Sequence, residues 1–75
     1  MPNVTVDGGA IRQIRHDLGW SGQKLADKAG VAVWTVYGTE GNRFGATRYT
    51  TAKAIADALG VDLEDILADS LADVA

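Results

Sequence analysis

The sequence predicts an all-α domain of five short helices around one small core. Three observations carry that prediction. Apolar residues recur at three- and four-residue spacing in successive short segments, glycines stand where most of those segments would end, and polar caps precede several of them. The stretch that organises the rest runs from Gly22 to Thr39, G-Q-K-L-A-D-K-A-G-V-A-V-W-T-V-Y-G-T. It reads as two helices hinged at Gly30, a residue type that adopts positive φ at almost no cost. Ala26 is small where a partner helix must come close, and Val31 and Val36 supply apolar contacts that close the angle.

Each element has its own reason. Residues 2–6 alternate around Val4 and Val6 and read as either a frayed arm or a short edge strand. Asp7 is placed to cap the first helix, residues 8–18, where Ile11, Ile14 and Leu18 share a face and Gly19 ends the run. Ser21 caps the second helix, residues 22–29. Trp20 and Leu25 form a hydrophobic staple across that cap, and Lys24 stands where a capping-box acid would reach back. The third helix, residues 33–40, is the one that propensity contests. V-A-V-W-T-V-Y is rich in β-branched and aromatic residues, Ala32 offers no side-chain acceptor as a cap, and Gly38 costs about 1 kcal/mol relative to Ala inside a helix. Packing outweighs propensity in so short a segment, which assigns it to helix.

Residues 41–47, G-N-R-F-G-A-T, are loop by composition. The fourth helix, residues 48–58, brings Tyr49, Ala52, Ile55, Ala56 and Leu59 to one face, with Gly60 as its stop. The fifth begins at Asp62, stapled by Val61 and Ile66, and runs through Leu67. Beyond it Leu63, Leu67, Leu71 and Val74 keep a four-four-three spacing that either extends the helix or docks onto a partner.

A chain of 75 residues supports one domain, here residues 1–75 with a core over about 8–67. There is no internal repeat and no separating linker. No apolar run approaches the roughly 18 residues of a membrane span, and the first residues lack the pattern of a signal peptide. With no cysteine as well, the expected location is the cytoplasm. The net charge of −3 argues at first sight against a polyanionic partner. The charge is unevenly spread, however. Residues 1–53 hold all seven bases and four of the acids, a balance of +3, whereas residues 54–75 hold the other six acids and no base. The basic part contains the helix pair.

Catalytic chemistry finds little to work with. His16 is the single histidine, and no cysteine accompanies it. D-L-E-D at 62–65 lacks the loop spacing and glycine of a calcium site and suits helix-start charges instead. Serines occur only at 21 and 70, so a Ser–His–Asp arrangement is implausible, and no G-K-[ST] follows the paired glycines as a phosphate loop requires. No catalytic residue, metal or cofactor is expected.

Two helices crossing steeply through a three- or four-residue turn form a helix-turn-helix, here residues 21–40. The chain resembles the Cro and phage-repressor family over about Ile11 to Leu67. The resemblance rests on I-R-Q-I-R-x-x-L-G-W-S, L-A-D-K-A-G-V, T-V-Y-x-x-E-G-N-R and A-I-A-D-A-L-G-V-D-L-E-D-I-L in that order. It implies a five-helix lambda-repressor-like fold, with the third helix in the major groove and the start of the second on the phosphate backbone. The implied base-reading set is Ala32, Val33, Trp34, Thr35, Tyr37 and Gly38. The implied phosphate or minor-groove set is Ser21, Gly22, Gln23, Lys24, Arg43 and Arg48. It also implies an ion pair between Arg15 and Glu40, a fork-shaped guanidinium gripping a carboxylate at two points.

The chain departs from the family pattern in three places. Gly22 stands where members often carry a phosphate-holding Gln, Thr39 replaces a larger apolar residue, and the base-reading set holds none of the usual bidentate side chains. The expected function is a sequence-specific, Cro-like transcriptional regulator, with a double-stranded DNA operator as partner. Such proteins usually dimerise, and Leu67, Leu71 and Val74 are the expected dimer stripe, a monomer being the alternative. The competing reading keeps the fold but uses Trp34, Tyr37 and Phe44 as an aromatic patch for a protein partner, as an antitoxin-like or adaptor module would.

Overall fold

The computed structural model describes residues 3–41 and 46–68. In chain order it contains β1 (Asn3–Thr5), α1 (Gly8–Asp17), α2 (Gly22–Ala29), α3 (Val33–Gly41), β2 (Ala46–Arg48) and α4 (Tyr49–Leu59), followed by one 3₁₀ turn at Leu63–Ile66. The caps act as their chemistry requires. The Asp7 carboxylate accepts from the amides of Gly9 and Ala10 at 3.0 and 3.3 Å, and the Ser21 hydroxyl oxygen accepts from Lys24 at 3.1 Å. Gly19, Gly30 and Gly60 each carry φ between 73 and 76°, which turns the chain after α1, α2 and α4.

α4 contributes four side chains to the core and each of the other helices one or two. Val6, Ile11, Leu25, Ala26, Val36, Ala52, Ile55, Ala56 and Ile66 are fully buried, and Leu59 closes the cluster. Ala26 and the two fully buried alanines of α4, Ala52 and Ala56, are the small residues that let α2 approach both α3 and α4. α3 is helical despite its β-branched content, because its inward face of Val36, Thr39 and Glu40 is buried against its neighbours. Thr39 satisfies its own hydroxyl within the helix by donating to the Thr35 carbonyl at 2.7 Å.

Two expectations are corrected. Among the described residues the α-helix count is four, since the segment expected as a fifth helix is a 3₁₀ turn at Leu63–Ile66. At Leu67 the backbone is extended (φ −84°, ψ 152°), and Leu67 bridges antiparallel to Val6. The amide of Asp7 donates to the Ile66 carbonyl at 2.8 Å and that of Ala68 to the Thr5 carbonyl at 3.0 Å. Those bonds claim groups that a continuing helix would need. The four-four-three leucine register therefore ends within the turn. Leu67 packs half-buried against the core, and Leu71 and Val74 lie outside the described residues. The second correction concerns the supposed loop, whose last residues form β2. Asn3, Val4 and Thr5 pair antiparallel with Arg48, Thr47 and Ala46, so the N-terminal segment is a strand and not a frayed arm.

Candidate nucleic-acid interface

α3 buries one face and presents the other. Trp34, Tyr37, Gly38 and Gly41 recur at one helical stripe and are all exposed, Trp34 by 76% and Tyr37 by 53%. Ala32 before the helix is exposed too. Val33 and Thr35 flank the stripe half-buried, and Val33 packs against the core. Of the six expected base readers, the structure thus brings Ala32, Trp34, Tyr37 and Gly38 fully to the surface and leaves Val33 and Thr35 at its edge. A core role for Trp34 is excluded by its exposure.

The helix is held from behind by Arg15 and Glu40. Arg15 Nε donates to Glu40 Oε2 at 2.6 Å and Nη2 to Oε1 at 3.0 Å, the two-point grip expected of a guanidinium and a carboxylate. Arg15 Nη1 donates to the Trp20 carbonyl at 2.8 Å, which ties the α1–α2 corner into the same unit. Both side chains are at least nine-tenths buried. The hydrogen bond to Glu40 raises the Arg15 pKa above its ordinary value, with burial opposing it. Gly8 completes the seat. A Cβ there would lie 2.4 Å from the backbone carbonyls of both Thr39 and Glu40, so the start of α1 touches the end of α3 through glycine alone.

The phosphate set is more dispersed. Ser21 is occupied as the α2 cap, which leaves the amides of Gly22 and Gln23 outside the helical ladder. Gln23 donates its side-chain amide to Asp27 at 2.9 Å, an exposed local bond that a phosphate could displace. Lys24 lies over the Trp20 ring, 5.9 Å from its centroid. Arg48, the last residue of β2, is exposed directly before α4. Arg43 and Phe44 lie outside the described residues.

Gly22 has a reason that its sequence neighbours do not betray. A Cβ there would sit 2.5–2.6 Å from three atoms of the Tyr37 ring, so the tyrosine of α3 lies directly on the start of α2. The departure at Gly22 and the unusual Tyr37 are one feature. The sequence reading also missed Arg12, which lines a cleft with Arg15, Tyr37, Glu40 and Gly41. The available signal was its position three residues before Arg15, which puts both on one side of α1.

α3 is thus an exposed helix seated on a buried ion pair, and comparison with known proteins identifies the family that shares this fold. No curated protein matches the chain significantly. Among solved structures it is similar to the restriction-modification controller protein C.AhdI from Aeromonas hydrophila, with TM-score 0.69 and 25% identity over 77% of this chain and 86% of that one. It is also similar to SinR, described as the master regulator for biofilm formation and solved in complex with DNA. That match has TM-score 0.70 and 30% identity over 76% of this chain and 90% of SinR. Residues 10–70 match the family model of the Cro/C1-type HTH DNA-binding domain. The chain belongs to the Cro/C1-type helix-turn-helix DNA-binding family.

Proposed function

We propose that this protein is a sequence-specific transcriptional regulator that lays α3 in the major groove of an operator and acts in the manner of a small Cro-like repressor. The observation that carries this reading is the solvent-facing stripe of α3, with Trp34 exposed by 76% on a helix whose opposite face is locked by Arg15 and Glu40. Such a stripe discriminates through shape and through apolar contact with thymine methyl groups, with the hydroxyl of Thr35 at its edge as a hydrogen-bonding partner. No bidentate reader lies on it, so each base contributes modest discrimination. Two copies binding together would place two such helices about 34 Å apart and multiply that discrimination. Sedimentation of the free protein and of its DNA complex tests the dimer.

Fluorescence anisotropy on DNA from the gene's own upstream region, over a salt series, tests the reading as a whole. Nanomolar binding to one duplex with a steep log–log salt slope is expected. Trp34→Ala and Thr35→Ala should each change the preferred sequence. Equal micromolar binding to every duplex, or none, would overturn the proposal and leave the exposed Trp34 and Tyr37 to a protein partner, a use to which the overall charge of −3 is also suited.

A further inference from the structure

The cleft between α1 and the end of α3 carries chemistry that neither the core nor the base-facing stripe uses. It has a volume of about 250 Å³ and is lined by Arg12, Arg15, Tyr37, Glu40 and Gly41. That is below the roughly 300–1,000 Å³ of pockets that enclose a drug-sized ligand, so a small group is the fitting occupant. Its charge is settled by the ion pair. Glu40 is neutralised at both oxygens by Arg15, leaving Arg12 as the uncompensated charge on the lining. Arg12 is exposed and makes no ion pair with a described residue. Arg15 has five N–H groups and uses three in the bonds to Glu40 and Trp20, so two remain.

Tyr37 supplies a neutral donor, and its ring is placed by contact with Gly22. Gly41 leaves the rim open, because a Cβ there would meet nothing within 4 Å. A guanidinium, a hydroxyl and a wall whose carboxylate is already satisfied suit a compact oxyanion.

We propose that this cleft holds one phosphate group, gripped by the Arg12 guanidinium and the Tyr37 hydroxyl. Resting on the DNA-binding reading above, its source is a phosphodiester of the duplex engaged by α3, since Tyr37 belongs both to the cleft and to the exposed stripe of that helix. Tyr37 is then a backbone-positioning residue and Arg12 a phosphate contact. Neither reads a base.

The test uses the full chain and its Arg12→Ala and Tyr37→Phe variants in two arms. In the first, DNA binding is followed by anisotropy against salt. Arg12→Ala should weaken binding to all sequences alike and make the log–log slope shallower by about one. Tyr37→Phe should weaken binding without altering the preferred site. In the second arm, inorganic phosphate is titrated while the backbone amide resonances of Arg12, Glu40 and Gly41 are followed by NMR. Saturable shifts in the wild type that vanish in Arg12→Ala, beside an unchanged DNA slope, would assign the cleft to a free phosphate instead of the duplex. An unchanged slope with no saturable shift would overturn the proposal. If the wild type bound no duplex at all, the DNA reading would fail by itself and the phosphate arm alone would decide the cleft. Arg12 lies on the surface, so an unchanged thermal melt of its variant would confirm that folding is not what the slope reports.

Discussion

Arg15 and Glu40 show how a single residue pair can hold a surface in place. Their two charges are at least nine-tenths buried, and the bonds of Arg15 fasten both α3 and the α1–α2 corner to α1. Removing one partner strands the other charge, so Glu40→Ala or Arg15→Ala should cost about 3–5 kcal/mol, read from the shift in urea midpoint. The pH dependence follows from the sign of the shift. The folded Arg15 value lies above the already strongly alkaline unfolded one, so its contribution is fully present at neutral pH and lost only at extreme alkalinity. Stability should therefore be insensitive to this group between pH 6 and pH 10, roughly the range over which an arginine stays charged in either state.

Two glycines make a complementary pair of predictions. Gly8→Ala presses a methyl against carbonyls of α3 that cannot rotate away, and should destabilise by about 1–3 kcal/mol. Gly38→Ala meets open space in a helix interior and should stabilise by about 0.5–1 kcal/mol. Thermal unfolding of the two variants should give shifts of opposite sign. The Arg15–Glu40 pair was legible in the sequence, because its register matches a known motif. The role of Gly8 was not, since nothing local to it announces a neighbour more than thirty positions away.

At the scale of the element, α3 is where local and tertiary preferences disagree. Its composition suits a strand, and it lacks the side-chain cap of α1 and α2 and the strong amphipathic pattern of the other helices. It folds as a helix because Val36, Thr39 and Glu40 meet buried partners on one side at helical spacing. Tyr37 shows the same dependence on context. Its ring rests on Gly22, so the start of α2 and the middle of α3 are coupled. Gly22→Ala should cost about 1–3 kcal/mol in the wild type, by forcing that ring aside, and under about 0.5 kcal/mol when Tyr37 is already Ala. A double-mutant cycle on urea midpoints measures the difference, and equal costs in both backgrounds would show that the two residues do not share the contact. Sequence reading recorded Gly22 and Tyr37 as two separate oddities, because their contact crosses the turn at a steep angle that spacing alone does not specify.

For the whole molecule, the decisive event is the meeting of the two ends of the core. β1 pairs with β2, Val6 bridges Leu67, and the backbone of residues 5–7 exchanges hydrogen bonds with that of residues 66–68. Ile66, fully buried behind this junction, should cost about 2–5 kcal/mol when cut to Ala, measured by urea unfolding. The same junction converts the expected fifth helix into a 3₁₀ turn. A leucine spacing of four, four and three describes a helix only while the backbone remains helical, and at Leu67 the N-terminal segment of residues 5–7 offered hydrogen bonds that extended backbone alone could make. The separation of charge between residues 1–53 and 54–75 was fully visible beforehand, since charge is a property of the residue and does not depend on the fold.

The sequence by itself determined α1, α2 and α4, the three turn glycines, the caps at Asp7 and Ser21, and the buried pair behind α3. Each of these rests on chemistry within a few residues or on a register shared by a whole family. Only the tertiary structure decided that Tyr37 lies on Gly22, that Gly8 must admit α3, that Arg12 faces a cleft, and that the last helical segment gives way to a strand-like bridge. Those outcomes depend on which surfaces meet, and contacts between distant segments leave no periodic trace in the chain that makes them.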